Sequence, residues 1–262
     1  MNMNQNRIDA LFARKKSNIL TIYFTAGFPK LNDTLPVLEE LVAAGVDLIE
    51  IGMPFSDPLA DGPTIQQSSL QAIQNGMNIP VLFEQLRPLR ERIPDTPILL
   101  MGYLNPVMQF GWERFCRACQ EVGIDGLILP DLPHLEYTQT YRPLMVKHGL
   151  HNIFLVTPQT SDERIRIADQ AGEGFLYAVS SAAITGNQQG ISDAQVAYFE
   201  RLQKLHLKNP HLIGFGISNA EDFARVCQWA AGGIIGSAFI RHLAQNSEDV
   251  RQQTRDFVHK IR

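Results

Sequence analysis

"LIEIGMPFSDPLADGP", residues 48–63, joins an aliphatic run to a loop rich in proline, glycine and aspartate. The run VDLIEIG, which ends at Gly52, has the length and the β-branched content of a buried strand. Glu50 lies inside this run, and a charged carboxylate in a buried strand is costly unless it has a partner. The stretch therefore predicts a strand that carries a glutamate for chemistry and is followed by a long loop.

Similar short runs recur along the chain and alternate with segments of helical periodicity. Alternating strands and helices predict right-handed βαβ units and a parallel sheet. Eight such units in 262 residues favour one (β/α)₈ barrel (TIM barrel) domain over residues 1–262, rather than a doubly wound open sheet. The eight candidate strands are NILTIYFTAG, VDLIEIG, PILLMGYLN, GIDGLILPD, HNIFLVTP, GFLYAVSS, LIGFGIS and GGIIGSAF.

The first residues predict one additional element before the barrel. Ile8, Leu11 and Phe12 have helical spacing with charged residues around them, and no apolar signal core precedes them. We expect an extra, short amphipathic helix at the N-terminus.

The composition argues against nucleic-acid and membrane partners. The formal net charge is -4, and no run of five or six like charges creates a local basic patch. No apolar stretch approaches the roughly 18 residues of a membrane span. Three cysteines suggest a reducing compartment, for which the cytoplasm is the default. Cys116 and Cys119 form a C-x-x-C without a second pair, so we expect them to pack inward from a helix.

Three acidic residues stand out at the carboxyl end of the second predicted strand, the face where barrel enzymes hold their chemistry. Glu50 has the same parity as Leu48 and should point into the barrel, where an apolar setting raises the pKa of a general acid or base. The alternative is a structural glutamate bonded to the backbone or to a basic neighbour. Asp57 and Asp61 lie in a turn-like sequence, and Asp61 is either a turn residue or a second carboxylate beside Glu50.

The seventh and eighth predicted strands end in glycine-bearing turns. Gly216, Gly236 and Ser237 suit a backbone phosphate site of the kind that barrels build at these two strands, and tight barrel turns are the alternative. The polar segment 185–190 has the composition of a lid or of a plain surface loop. No lysine falls within a predicted strand, which argues against a Schiff-base aldolase, and the sequence gives no support for metal ligation. His148 and His151 precede the fifth strand, at the opposite end of the barrel, and are interpreted as structural.

The stretch IEIGMPFSDPLADGPTIQ resembles the signature of the tryptophan synthase alpha chain family. The likeness continues through YFTAGFP, GYLNP, LPDLP, LYAVS, ITG, GFGIS and GSA, so it covers essentially the whole chain. It implies a metal-free lyase that cleaves indole-3-glycerol phosphate to indole and glyceraldehyde 3-phosphate in tryptophan biosynthesis.

The resemblance also implies roles for individual residues. Glu50 would be the general acid and base, and Asp61 would stabilise positive charge on the indole nitrogen. Tyr177 corresponds to the active-site tyrosine of the family. The substrate-binding positions that it implies are Tyr23, Ile65, Thr185, Gly186, Phe215, Gly216, Gly236 and Ser237.

A partner follows from the same resemblance. It is the tryptophan synthase beta chain, which carries pyridoxal phosphate and forms an α₂β₂ heterotetramer, whereas this chain would carry no cofactor. Many family members read G-V-T-G in the lid where this chain has Ala183 as the first residue, which predicts lid closure that is either slower or biased. The implied partner-facing residues are Pro54, Asp57, Asn105 and Pro133.

Two other functions are also compatible with the sequence. Another phosphate-binding barrel enzyme of the same pathway would share the glycine turns, although the long SDPLADGP loop argues against it. A non-catalytic subunit that only docks on and activates a beta-type partner would show no turnover by itself.

Overall fold

A computed structural model describes residues 6–179, 192–214, 216–245 and 248–262, in which parallel strands curl into a barrel surrounded by helices. The strands of these ranges lie close to the predicted runs. They are β1 (Ile19–Thr25), β2 (Leu48–Gly52), β3 (Ile98–Met101), β4 (Gly126–Ile128), β5 (His151–Asn152), β6 (Leu155–Val156), β7 (Leu176–Val179), β8 (His211–Gly214) and β9 (Gly232–Ile235).

Helices fill most of the connections between strands. There is also a 3₁₀ turn at Leu31–Asp33 and a π-helical turn at Tyr137–Tyr141. The α-helices of the described ranges are α1 (Arg7–Arg14), α2 (Thr34–Ala43), α3 (Pro63–Gln74), α4 (Ile79–Leu86), α5 (Leu89–Arg92), α6 (Leu104–Phe110), α7 (Trp112–Val122), α8 (His134–Glu136), α9 (Arg142–Lys147), α10 (Asp162–Ala171), α11 (Asp193–Lys204), α12 (Ala220–Val226), α13 (Ser237–Gln245) and α14 (Val250–Ile261).

The strand order closes the sheet on itself. It runs β5-β4-β3-β2-β1-β9-β8-β7-β6, so the two outermost strands are consecutive pieces of one chain segment. Ile153 N donates to Leu127 O at 3.0 Å on one side of this segment, and Tyr177 N donates to Phe154 O at 3.0 Å on the other. The predicted barrel is confirmed, and the predicted fifth strand is present as the two short strands β5 and β6.

Side chains of the strands alternate between the barrel interior and the surrounding helices, as the two-residue period of a strand requires. Ile19, Leu48 and Leu99 belong to an inner apolar cluster, and this cluster includes Ile8 and Leu11 of α1. The predicted N-terminal helix is therefore confirmed, and its apolar face packs against the interior of the barrel at the amino ends of the strands.

A buried ion-pair cluster fixes α1 to this end of the barrel. Asp125, with a side chain only 3% exposed, pairs with Arg7 of α1 at 2.9 Å and with Arg90 at 2.6 Å. Its carboxylate also accepts a hydrogen bond from Ile98 N at 2.8 Å. Because both oxygens of Asp125 have partners, the cost of burying the charge is offset.

The cysteines and histidines considered in the sequence analysis are buried in the protein or paired with other side chains. Cys116 and Cys119 are buried in α7, as expected, and burial raises the pKa of the Cys116 thiol to about 12. His148 Nδ1 lies 2.8 Å from Gln120 Oε1, and His151 Nε2 lies 2.9 Å from Asp9 Oδ2. In the described ranges, no helix has the length and apolar character needed to cross a membrane.

Replacement of Asp125 by alanine should destabilise the barrel. The change leaves Arg90 without its carboxylate and Ile98 N without an acceptor, so we expect a loss of about 3 kcal/mol in the free energy of unfolding. Urea denaturation measures this loss. Glu84→Ala, which breaks the exposed Glu84–Arg87 pair, is the matched control and should cost less than about 1 kcal/mol. Equal losses in the two variants would contradict the assigned role of the cluster.

Candidate active site

Glu50 lies on β2 two residues after Leu48 of the inner cluster, so it faces the barrel interior. Its side chain is completely buried, and neither carboxylate oxygen has a hydrogen-bond partner among the described residues. Burial raises the pKa of this carboxyl to about 8 because the charged form loses its hydration. Glu50 is therefore a carboxylic acid at neutral pH and is able to donate a proton.

Two tyrosines line the same chamber as Glu50. Tyr23 of β1 lies beside Glu50 in the β1–β2 register, and Tyr177 projects from β7. Burial, together with the nearby charges of Glu50 and Asp61, raises the pKa of both phenols above the usual value. Both tyrosines are therefore neutral hydroxyls at neutral pH, and Glu50 and Asp61 lie close enough for their charges to act on both of them.

Glycines at two strand ends make room for the tyrosine rings. A Cβ atom on Gly52 would overlap the Tyr23 hydroxyl oxygen, and one on Gly214 would overlap the Tyr177 ring. The space that any other residue would fill at these positions is occupied by the aromatic side chains. This role was not predicted from the sequence, although the glycine at the end of each of these two strands is the signal that marks it.

Asp61 approaches the chamber from the loop after β2. Tyr103, which follows β3, donates a hydrogen bond to Asp61 Oδ2 at 3.0 Å and accepts one from Ala60 N at 2.9 Å. The Tyr103 ring also lies 5.3 Å from that of Phe55, at the start of the same loop. Burial raises the pKa of Asp61 to about 6, and the hydrogen bond from Tyr103 opposes this rise. Asp61 is thus largely ionised at neutral pH, whereas Glu50 is largely protonated.

The role of Tyr103 was not predicted from the sequence either. It lies in the motif GYLNP, and its hydrogen bond with Asp61 spans 42 positions of the chain. Nothing local in the sequence indicates that the tyrosine after the third predicted strand would hold the loop after the second.

Only some of the residues nominated for substrate binding are described, and Ile65, Gly216, Gly236 and Ser237 lie in segments that follow strands. Ile65 is half-buried in the first turn of α3, next to the Asp61 loop. Gly216, after β8, has a φ of +72°, and in the part of the chain that the structure describes no heavy atom lies within 4 Å of where its Cβ would be. Gly236 ends the turn after β9, and Ser237 begins α13. Thr185, Gly186 and Phe215 lie outside the described residues, as does the lid position Ala183.

The implied partner-facing residues lie in the segments after β2, β3 and β4. Asp57, Asn105 and Pro133 are exposed, and Pro54 is half-buried. Pro133 also borders a cavity of about 450 Å³ between the segment after β4 and α10. Neither Glu50 nor Asp61 lines this cavity, so it is separate from the acid pair.

No group of three or more histidine, cysteine, aspartate or glutamate residues that could hold a metal ion occurs in residues 6–179, 192–214, 216–245 and 248–262. What the described site brings together is one protonated carboxyl, one ionised carboxylate and two neutral phenols. This set suits proton transfer coupled to stabilisation of a developing positive charge.

Sequence comparison shows close relatives over nearly the whole chain. The family model for the tryptophan synthase alpha chain matches residues 9–262. The tryptophan synthase alpha chain of Flavobacterium johnsoniae is 54% identical over 257 residues, which are 98% of this chain and 100% of the relative. That of Parabacteroides distasonis is 50% identical over 238 residues, which are 91% and 92% of the two chains.

Comparison of structures identifies relatives in the same family as comparison of sequences does. Tryptophan synthase subunit alpha from Legionella pneumophila superposes with a TM-score of 0.88 at 33% identity, covering 98% of this chain and 97% of that one. A chain from a structure describing mutual activation of the tryptophan synthase a2b2 complex of Pyrococcus furiosus gives 0.87 at 31% identity, covering 94% and 98%. The similarity therefore extends through the barrel as a whole.

Replacement of Gly52 by alanine tests the close packing around Tyr23. The added methyl group would overlap the tyrosine hydroxyl, so we expect overpacking to lower the free energy of unfolding by about 1–3 kcal/mol. Gly62→Ala is the control, because no heavy atom of the described residues lies within 4 Å of the added methyl group. Chemical denaturation measures the free energy of unfolding of both variants. An unchanged stability of Gly52→Ala would contradict the described contact.

Proposed function

We propose, since this chain belongs to the tryptophan synthase alpha chain family, that it cleaves indole-3-glycerol phosphate to indole and glyceraldehyde 3-phosphate. The chain is thus a carbon–carbon lyase of tryptophan biosynthesis. The observation that carries the assignment of residues is the fully buried Glu50 carboxyl, which lacks a partner among the described residues and shares its chamber with Asp61.

A retro-aldol cleavage needs an acceptor for the electron pair of the breaking bond. Protonation of the indole ring at C3 creates this acceptor, because the resulting indolenine cation takes up the electrons. Glu50 in its acid form delivers that proton. As a carboxylate it then takes the proton of the adjacent hydroxyl of the glycerol chain while the bond breaks. The hydroxyl carbon becomes the aldehyde, neutral indole is released, and Glu50 returns to its acid form.

Asp61 has the complementary role in this proposal. The positive charge of the indolenine develops at the ring nitrogen, and an ionised carboxylate next to it stabilises the transition state. The hydrogen bond from Tyr103 favours the ionised form of Asp61 and fixes its position. Two carboxyl groups in different settings thus serve as acid and as charge stabiliser.

The rest of the substrate extends across the barrel mouth. We assign Tyr177, Tyr23 and Ile65 to its surroundings, and we assign the phosphate to the turns after β8 and β9. The first N–H groups of a helix have no partner within that helix, so the start of α13 at Ser237 attracts an anion. The phosphate site in this proposal comprises Gly186, Gly216, Gly236 and Ser237, and Phe215 belongs to the substrate-binding residues beside it.

The proposal includes a docking partner, the tryptophan synthase beta chain, in an α₂β₂ heterotetramer within the cytoplasm. Pyridoxal phosphate belongs to that partner, and this chain contributes no cofactor. Exposed apolar side chains on the segments after β2, β3 and β4 support docking there, since large apolar side chains are depleted from surfaces that stay in water. The docking face comprises Pro54, Asp57, Asn105 and Pro133 together with exposed Leu59, Met108 and Leu135.

Loss of the Glu50 proton should abolish most of the activity. Glu50→Gln keeps the size of the side chain and removes the acid, so indole release should fall at least about 100-fold. The assay follows indole formation from indole-3-glycerol phosphate with and without a beta chain, which should accelerate the wild type. A wild type that is inert even with the partner would overturn the proposed reaction, and full activity of Glu50→Gln would overturn the role of Glu50.

The two carboxyls should give a bell-shaped pH profile of kcat/KM. Activity should rise through about pH 6 as Asp61 ionises and fall through about pH 8 as Glu50 loses its proton. In Tyr103→Phe the carboxylate of Asp61 loses a stabilising hydrogen bond, so its pKa should rise by up to about one. The acidic limb should therefore move towards neutral pH while the basic limb stays in place. An unchanged acidic limb would exclude Tyr103 as the group that favours the ionised form.

A further inference from the structure

The loop after β2 ends in a tight turn that carries Asp61. Asp61 N donates to Pro58 O at 3.0 Å, which closes a four-residue turn over residues 58–61. Leu59, inside this turn, is 93% exposed. Asp61, its last residue, is half-buried, and its carboxylate accepts the hydrogen bond from Tyr103. The position of the carboxylate therefore depends on a turn that projects into solvent.

Gln66 of helix α3 reaches back to both ends of this turn. Its side-chain Nε2 donates to Asp61 O at 2.8 Å and lies 3.5 Å from Pro58 O. Both partners are main-chain carbonyl oxygens, which only accept, so the nitrogen of the side-chain amide faces the turn. One side chain thus holds the first and the last residue of the turn together.

Helix α3 is itself anchored to β1 and to the segment that follows it. Ser68 Oγ lies 2.7 Å from Thr25 Oγ1, and both side chains are buried. Gln71 Nε2 donates to Pro29 O at 3.1 Å, and Asn75 Nδ2 donates to the same oxygen at 2.8 Å. Gln66 therefore extends from a helix whose position is fixed on the barrel.

The start of α3 offers little else to hold the turn. Gly62 is the N-cap of the helix and has no side chain that could cap it. Its carbonyl oxygen accepts from Ile65 N and Gln66 N, each at 3.0 Å. Within the described part of the chain, the side-chain hydrogen bonds to residues 58–61 come from Tyr103 and Gln66 alone.

We propose that Gln66 is a positioning residue for Asp61, which holds the turn over residues 58–61 closed and so keeps the ionised carboxylate in place against Tyr103. Tyr103 fixes the carboxylate itself, whereas Gln66 fixes the main chain that carries it. The inference rests on the proposed function in giving Asp61 the role of charge stabiliser. The contact between Gln66 and the turn is a property of the free protein.

Gln66→Met keeps the length of the side chain and removes its donor. The amide protons of Ala60 and Asp61 are both hydrogen-bonded when the turn is closed. Without Gln66 the turn should open more often, so hydrogen exchange at these two amides should become about 2- to 10-fold faster, the factor expected for one hydrogen bond. NMR spectroscopy of the free, ¹⁵N-labelled protein measures both rates.

The kinetics of the same variant test whether the turn acts through Asp61. Asp61 interacts with a positive charge that develops only in the transition state, so kcat should fall about 2- to 10-fold while KM stays within about twofold. In an Asp61→Asn background, Gln66→Met should leave the remaining kcat unchanged, because the group through which Gln66 acts is gone. The assay is indole release in the presence of a beta chain.

Gln67→Met is the matched control. Gln67 is the neighbouring exposed glutamine of α3, and its side chain makes no hydrogen bond among the described residues. This variant should keep the exchange rates and the kcat of the wild type.

The inference is overturned if Gln66→Met leaves both exchange rates unchanged, or if Gln67→Met raises them equally. It is also overturned if an active Gln66→Met keeps the wild-type kcat, or if its loss of kcat persists without the Asp61 carboxylate. Because hydrogen exchange needs no substrate, it decides whether Gln66 holds the turn even if indole release fails. Failure of the wild type to release indole would instead count against the proposed function.

Discussion

The structure depends on keeping one carboxyl group away from water. Glu50 has no basic partner among the described residues, and its burial is compatible with stability only because it stays protonated. The parallel barrel makes this possible, since the ladder satisfies the backbone of the surrounding strands and leaves the interior to side chains alone. The neighbouring positions are apolar residues, neutral phenols and glycines. A basic residue among them would convert a proton donor into half of an ion pair.

The two carboxyl groups illustrate how location assigns chemistry. Glu50 is part of a strand, with no freedom to reach solvent. Asp61 belongs to a loop that contacts the barrel through Tyr103, and it retains partial hydration and one strong hydrogen bond. The pKa of about 8 for the first and about 6 for the second follow from this difference in desolvation. Neutral pH lies between the two values, where each group holds the charge state that its role requires.

Much of this organisation can be read from short-range pattern. The strand runs, the amphipathic spacing of Ile8 and Leu11, and the inward parity of Glu50 depend on residues near each other in sequence, so periodicity is sufficient to predict them. The division of the fifth strand into β5 and β6 was not predicted, because HNIFLV is uniformly strand-like. The contacts between Tyr103 and Asp61 and between Thr25 and Ser68 were also missed. They join positions 42 and 43 residues apart, and only the closed barrel brings them together.

Helix α1 closes the barrel at the amino ends of its strands. Its apolar residues fill the amino-terminal opening, and the pairing of Arg7 with buried Asp125 secures it there. The chamber is therefore closed at the amino ends of the strands and opens at their carboxyl ends. Every molecule that reaches Glu50, and every fragment that departs from it, has to pass the segments that follow the strands. A protein bound at the carboxyl ends of the strands would control both the entry of substrate and the release of product without contacting Glu50.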